Sequence, residues 1–570
     1  MLRKRLFALV CAITFIFLSV LGRVFYVQII SGRALQEKAV DQWTRDLPVK
    51  ARRGVITDRN GLILAENKQS YAVFIRTRVV DNVEKTAERL SEILEVDKGA
   101  LLKRIKSDSS SEITVKRQVP REKIDKISKE NLSGVYYCND SERYYPYGES
   151  LAQVIGYSSL DGNGQSGLEK KYDEYLKGYD GEILYEADLV GRDVKGSVAR
   201  YIAATDGLNL KLTVDYEIQR ICDSVITHAV TEYSPKAASI IVLSPANGQI
   251  IAVSQYPSFD LNNVPRDDLS LLNKLSRCNS VVDSYEPGST FKIVTSAANI
   301  EENLKGNPKA FSADYVFNSS RFRFVDGRKI KCWSTHENGK HSNERLAEAL
   351  NNSCNPCFVD IALSLGKETM YSYLEAFGFG KVTGVDYPGE AIGMLVPEGA
   401  VTNGDLARIG FGQTIAVTPL QLAAAVSASV NGGVYCEPYF VSEIYDKNGK
   451  ICEIINPKEV RRVISAKASE TLRGYLEDVV TKGSGKQAYI EGYGVGGKTG
   501  TAQKYENGHI AQGKYVMSFI GFFPSDNPKY LALAIVDEPV GGRYGSTVAA
   551  PLVKDVFQGI IECKKIEKGK

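Results

Sequence analysis

The sequence has no dominant charge. Its 71 basic residues stand against 68 acidic ones, a net charge of +3, so no global field argues for nucleic acid as a partner. Internal repeats and low-complexity segments are absent. Cysteine is sparse, with ten in 570 residues. That density excludes a disulfide framework and leaves any significance to the places where individual cysteines sit. An apolar content of 43% excludes disorder, and the length exceeds what one hydrophobic core supports, so two or three domains are expected.

Charge is also missing from Leu6 to Gly22, and after Arg23 the apolar character resumes from Val24 to Ile30, giving the ~20 residues that a bilayer span needs. Arg3, Lys4 and Arg5 precede the run. The positive-inside rule then keeps residues 1–5 cytoplasmic, makes 6–30 the transmembrane anchor and places everything after about residue 31 outside the cell membrane as a single-pass protein. A cleaved signal peptide is the alternative. The segment after the apolar run, Ser19-Val20-Leu21-Gly22-Arg23, lacks a small-x-small cleavage site, and Arg23 can snorkel to the interface.

From 31 to 235 the chain carries no metal or nucleotide motif. It mixes short β-like runs such as Tyr71 to Ile75 with helical stretches such as Thr86 to Leu94, and Asn60-Gly61 is a hairpin-type turn. This half reads as a non-catalytic pedestal. The texture changes near Ala237, where Ala238 to Leu243 and Gln249 to Val253 form a buried hairpin. A second hairpin is expected from Val516 to Phe523 and Tyr530 to Val536. Strands at both ends of 236–563, with helices between, point to an α+β domain in which helices cover a sheet; 564–570 is a basic tail.

Three short stretches of that domain supply the groups of a serine acyl-transfer site. Pro287-Gly288 delivers Ser289 onto the first turn of a helix, with Lys292 three residues on and therefore on the same face. A desolvated amine there can be neutral and take the serine proton. Ser353-Cys354-Asn355 follows the helical stretch Glu344 to Leu350. Lys498-Thr499-Gly500-Thr501 opens a strand amid glycines, along which a peptide can lie while Lys498 and the threonine hydroxyls meet a carboxylate. Singly, each stretch reads more readily as a helix cap or a surface lysine. In the order SxxK, SxN, KTG they are specific.

With those motifs the chain resembles the penicillin-binding proteins, and more closely the class B transpeptidases of the division and sporulation type. Arg53 to Gly61, Arg143 to Pro146 and Gly164 to Glu169 look like the family's pedestal segments. Gly410-Phe411-Gly412-Gln413, Val417 to Gln421, and Tyr544-Gly545-Ser546 look like its catalytic-domain segments. Gln153 departs from an expected histidine, and no PASTA repeat follows Cys563. The resemblance implies that Ser289 attacks the penultimate D-Ala carbonyl of a stem pentapeptide with Lys292 as base. Backbone N–H groups of Ser289 and Thr501 would hold the oxyanion, and Ser353 would relay a proton to the leaving amine. Asn355 would hold the substrate backbone, with Lys498, Thr499 and Thr501 binding the terminal carboxylate and Gly500, which lacks a side chain, letting the peptide lie along the strand edge. It also implies acylation by β-lactams, no catalytic cofactor, and a SEDS-type glycan polymerase as partner. Spore cortex is the expected setting, because Cys354 within SxN and Lys331-Cys332-Trp333 upstream look like the sporulation members. A septal transpeptidase, a β-lactam sensor or hydrolase, and a membrane-tethered scaffold are the alternatives.

Cys332 and Cys354 are expected to lie together beside the nucleophile. Three readings stay open: buried free thiols, a disulfide that switches the enzyme off, and a structural zinc held by Cys332, His336, His341 and Cys354. In the zinc reading Asp283 can replace a histidine, while Cys357 and His509 are weaker candidates.

Overall fold

The computed structural model describes residues 2–32, 44–107, 112–187, 193–336, 341–506, 509–541 and 544–568. The chain forms two compact units, Met1–Arg53 with Lys177–Gly207, and Gly54–Leu176 with Leu208–Lys570. The first holds the helix Leu2–Phe25, continued by Tyr26–Ile30, and an antiparallel sheet of Thr44–Val49, Gly181–Ala187 and Asp193–Ile202. The span Leu2–Ile30 is long and apolar enough to cross a membrane, and none of it is buried against protein.

The second unit is built on a five-stranded antiparallel sheet, in the order Ile250–Tyr256, Ala237–Leu243, Tyr530–Asp537, His509–Phe523, Gly496–Glu506. Because successive side chains point to opposite faces, one strand feeds two cores. Ile240 and Val242 join a cluster with the helices Tyr216–Tyr233 and Gly545–Lys564, whereas Ile241 and Leu243 join a larger cluster with Lys292–Leu304 and Pro419–Val430. Covered on both faces, the strand reads as a continuous apolar run rather than an alternation. Pro419–Val430 is buried at every position. Its start is fixed by a capping box: Thr418 Oγ1 accepts from Gln421 N at 3.0 Å, Gln421 Oε1 accepts from Thr418 N at 2.9 Å, and Pro419 takes the first turn, where no N–H is missed.

A second sheet runs through both halves of the sequence. Val441–Tyr445 pairs with Asn209–Leu212, which pairs in parallel with Ile56–Thr57, which leads through Ile63–Ile75 to Ile113–Val119. The expected turn at Asn60-Gly61 is present: Gly61 has φ +87°, and the buried Asp58 Oδ1 accepts from Asn60 N and Leu62 N, both at 2.8 Å. Arg143 Nε donates to Glu169 at 2.7 Å inside this region, with the two side chains 6% and 0% exposed. The helix Tyr216–Tyr233 precedes residue 235, yet it packs on the five-stranded sheet. Gln153, buried, donates to the carbonyl of Leu275 at 3.0 Å.

Candidate active site

The turn that carries Ser289 is a short 3-10 segment, Gly288–Phe291, that runs directly into the helix Lys292–Leu304. Gly288 has φ +56°, a conformation that favours glycine, and its N–H donates to Gly412 O at 2.9 Å. A Cβ on Gly412 would lie 2.0 Å from Gly288 O, so the two glycines let two backbones touch. Tyr285 and Val417 exchange hydrogen bonds of 3.0 and 2.9 Å, and Thr295 Oγ1 donates to Gly410 O at 2.8 Å. The segment 410–419 is therefore the clamp that holds Ser289 at the end of its turn. In the sequence Gly410 to Gln413 and Val417 to Gln421 stood out only as family-like stretches, with no such role attached.

Lys292 is 0% exposed, and Nζ donates to Ser353 O at 2.8 Å, Asn355 Oδ1 at 2.7 Å and Ser353 Oγ at 3.2 Å. Burial lowers it to about 8, against the opposing pull of nearby thiols and Glu344. Lys498 is also 0% exposed and donates to Ser353 Oγ at 2.9 Å; burial first, then the Lys292 charge, push it well below the usual lysine range. Ser353 sits at φ +54°, costly for a residue with a Cβ. Trp333 Nε1 pins that turn by donating to Asn352 O at 3.2 Å and Ser353 O at 3.1 Å.

The structure brings Ser289, Ser353, Asn355, Thr499 and Thr501 to the wall of one cleft of about 1010 Å³. Thr499 and Thr501 face the cleft, so the strand's alternation turns Gly500 inward. A Cβ there would stand 2.3 Å from Ser518 Oγ and 3.1 Å from Pro287 O. Gly500 thus makes room for the turn that carries Ser289.

Among relatives, the penicillin-binding protein transpeptidase domain matches residues 238–558, and the penicillin-binding protein dimerisation domain matches 48–212. The chain belongs to the penicillin-binding protein transpeptidase family. It is 39% identical over 560 residues to Stage V sporulation protein D of Bacillus subtilis, covering 98% of this chain and 85% of that protein. It is 27% identical over 573 residues to the peptidoglycan D,D-transpeptidase FtsI of Escherichia coli, covering 98% and 92%. The crystal structure of a peptidoglycan synthetase from Bifidobacterium adolescentis superposes with a TM-score of 0.73 at 24% identity, covering 92% of this chain and 98% of that one, a likeness of fold. As a class B penicillin-binding protein, the chain has the α+β transpeptidase fold and an N-terminal apolar helix, and it is a transpeptidase.

Beside the SxN turn, ligand atoms of Cys332, His336, His341 and Cys354 lie within 4.8 Å of one another. Cys332 Sγ is 4.0 Å from His341 Nδ1, and Cys354 Sγ is 3.8 Å from His336 Nε2. The hydrogen bond to Cys354, then burial, raise the Cys332 thiol; the Cys332 hydrogen bond pulls Cys354 down, but the contact with Cys357 and burial outweigh it and raise that thiol. Cys357 joins Glu344 and Cys354 in a second group. Asp283 is not in either group; it pairs with Arg277, which removes it as a ligand. The side chain of His509 lies outside the described residues.

Proposed function

We propose that this transpeptidase cross-links peptidoglycan stem peptides through an acyl-enzyme on Ser289 and is acylated there by β-lactams. The observation that carries this reading is the pair of fully buried lysines, Lys292 and Lys498, converging on Ser353 at the wall of the cleft that Ser289 lines. Ser289 Oγ attacks the penultimate D-Ala carbonyl and its proton passes to Lys292. The proton then travels through Ser353 to the departing D-Ala amine, leaving an ester. Backbone N–H groups of Ser289 and Thr501 hold the oxyanion, and Asn355 holds the substrate backbone. Lys498, Thr499 and Thr501 receive the terminal carboxylate. The amine of a second stem peptide displaces Ser289 Oγ, which regains its proton. None of the described residues of the cleft wall is an aspartate or glutamate, which supports transfer to an amine over hydrolysis by water. Fluorescent penicillin labelling tests this: a slowly lost adduct, absent in Ser289→Ala, is expected, and rapid turnover of the label would favour a hydrolase.

Spore cortex is the setting we favour, supported by the 39% identity to Stage V sporulation protein D; the FtsI relative favours a septal role as the second reading. Cortex muropeptides from a Ser289→Ala strain separate the two. Residues 1–5 are cytoplasmic in this reading, 31–235 form the pedestal and 236–563 the transpeptidase domain, outside the membrane. A SEDS-type glycan polymerase is the proposed partner.

We also propose a structural zinc at Cys332, His336, His341 and Cys354. Tetrahedral zinc with ordinary bond lengths separates its ligand atoms by roughly 3.3 to 3.8 Å, close to the observed spacing. His336 Nδ1 lies 2.9 Å from Ser319 O, which leaves Nε2 to face Cys354. His341 Nδ1 is contested, since Glu344 Oε1 stands 3.5 Å away. Metal analysis of reduced protein should find one equivalent, lost in Cys332→Ser together with thermal stability. Metal-free protein that labels in reductant and fails after oxidation supports the disulfide instead.

A further inference from the structure

The cleft is larger than a terminal D-Ala–D-Ala needs: its 1010 Å³ is at the upper end of what encloses a drug-sized ligand. Its wall carries the cations Lys329, Lys331 and Arg408, and among the described residues no acidic side chain of the wall offsets them. Lys329 and Lys331 stand two apart on the strand Arg328–Lys331, both exposed, while Ile330 between them is buried. The period of a strand puts them on one face. Among the described residues neither has an ion-pair partner, whereas Lys305, Lys504 and Lys564 elsewhere in the domain are each paired with carboxylates. Lys329 is held in place, with Nζ 3.7 Å from the centroid of the Phe322 ring. Lys331 adjoins the SxN motif, since Asn355 Nδ2 donates to Lys331 O at 3.4 Å. Arg408 is partly spent on Gly404 O at 2.9 Å, so the lysines are the cations left for a ligand.

We propose that Lys329 and Lys331 form a second anion subsite, which recognises a free side-chain carboxylate on the donor residue preceding D-Ala–D-Ala. The proposal rests on the transpeptidase reading. The terminal carboxylate belongs at Thr499 and Thr501, and an extended peptide advances ~3.3 Å per residue, so the side chain of the third stem residue emerges ~7 to 10 Å away, toward the wall beside Asn355. The substrate class is therefore a stem peptide whose third residue is an acidic diamino acid such as diaminopimelate, rather than its amide or lysine.

The test uses the full chain in detergent micelles and two synthetic pentapeptides differing only in whether the third residue carries a free carboxylate or a carboxamide, with D-Ala release as readout. At low salt the acid is expected to show a KM about three- to tenfold lower, a preference that shrinks as salt screens it. Lys329→Gln/Lys331→Gln should erase the difference by raising KM for the acid rather than lowering kcat, and Lys329→Arg/Lys331→Arg should keep it. Melting temperature verifies that each variant is folded. Equal KM values in the wild type, or a preference that survives in the glutamine variant, overturn the subsite alone. Failure of both peptides and of penicillin labelling overturns the transpeptidase reading with it.

Discussion

Lys292 and Lys498 share one acceptor: Ser353 Oγ lies 3.2 Å from the first amine and 2.9 Å from the second. Two ammonium groups that close, both fully buried, repel, and burial already disfavours each charge. The arrangement favours the state in which at least one is neutral, which is the state a general base requires.

The pH dependence follows in sign. A lysine brought down to about 8 gains its neutral form as pH rises through that value. The second-order rate of benzylpenicillin acylation should therefore climb from pH 6.5 and level off above ~9. Lys292→Arg, which stays charged, should lose that limb together with most of the rate. A flat profile for the wild type would remove Lys292 as the base.

Ser353→Ala deprives both amines of their common oxygen and should slow acylation by about 10²-fold. Ser353→Thr keeps a hydroxyl but places a β-branched side chain at φ +54°, so it should not restore the rate. Stopped-flow labelling of the two variants measures this.

Gly500→Ala forces a methyl against Ser518 Oγ and the Pro287 carbonyl. A loss of about 1 to 3 kcal/mol in urea unfolding is expected, with labelling slowed because the nucleophile turn itself is displaced.

Arg143→Met leaves Glu169 buried without its guanidinium, at a cost of about 3 kcal/mol, read as a lower unfolding midpoint. The double variant Arg143→Met/Glu169→Gln should recover part of it.

Much of this was legible in residue order. The hairpin Ala237–Leu243 with Ile250–Tyr256 was visible as two apolar runs about a turn, and the SxxK, SxN and KTG stretches marked a site that the fold gathers into one cleft. The clustering of Cys332, His336, His341 and Cys354 followed from their spacing. Other features depend on contacts that no local pattern encodes. Gly500 turns inward because of the pairing of its strand, and Gly412 meets Gly288 across more than a hundred positions. Nothing in the sequence singled out Lys329, and Lys331 stood out only within Lys331-Cys332-Trp333; the cleft is what brings the two to one wall.

The sheet that joins Asn209–Leu212 to Val441–Tyr445 also has a temporal side. Ser442 Oγ donates to Lys211 O across 231 positions of chain, and Thr213 N donates to Phe440 O. At a synthesis rate of ~5 to 20 residues per second, the early strand waits on the order of ten to fifty seconds for its mate to be made. Until then that bare edge is open to any passing β-strand. A chaperone that shields extended segments would find its client there, well before Ser289 has reached its clamp.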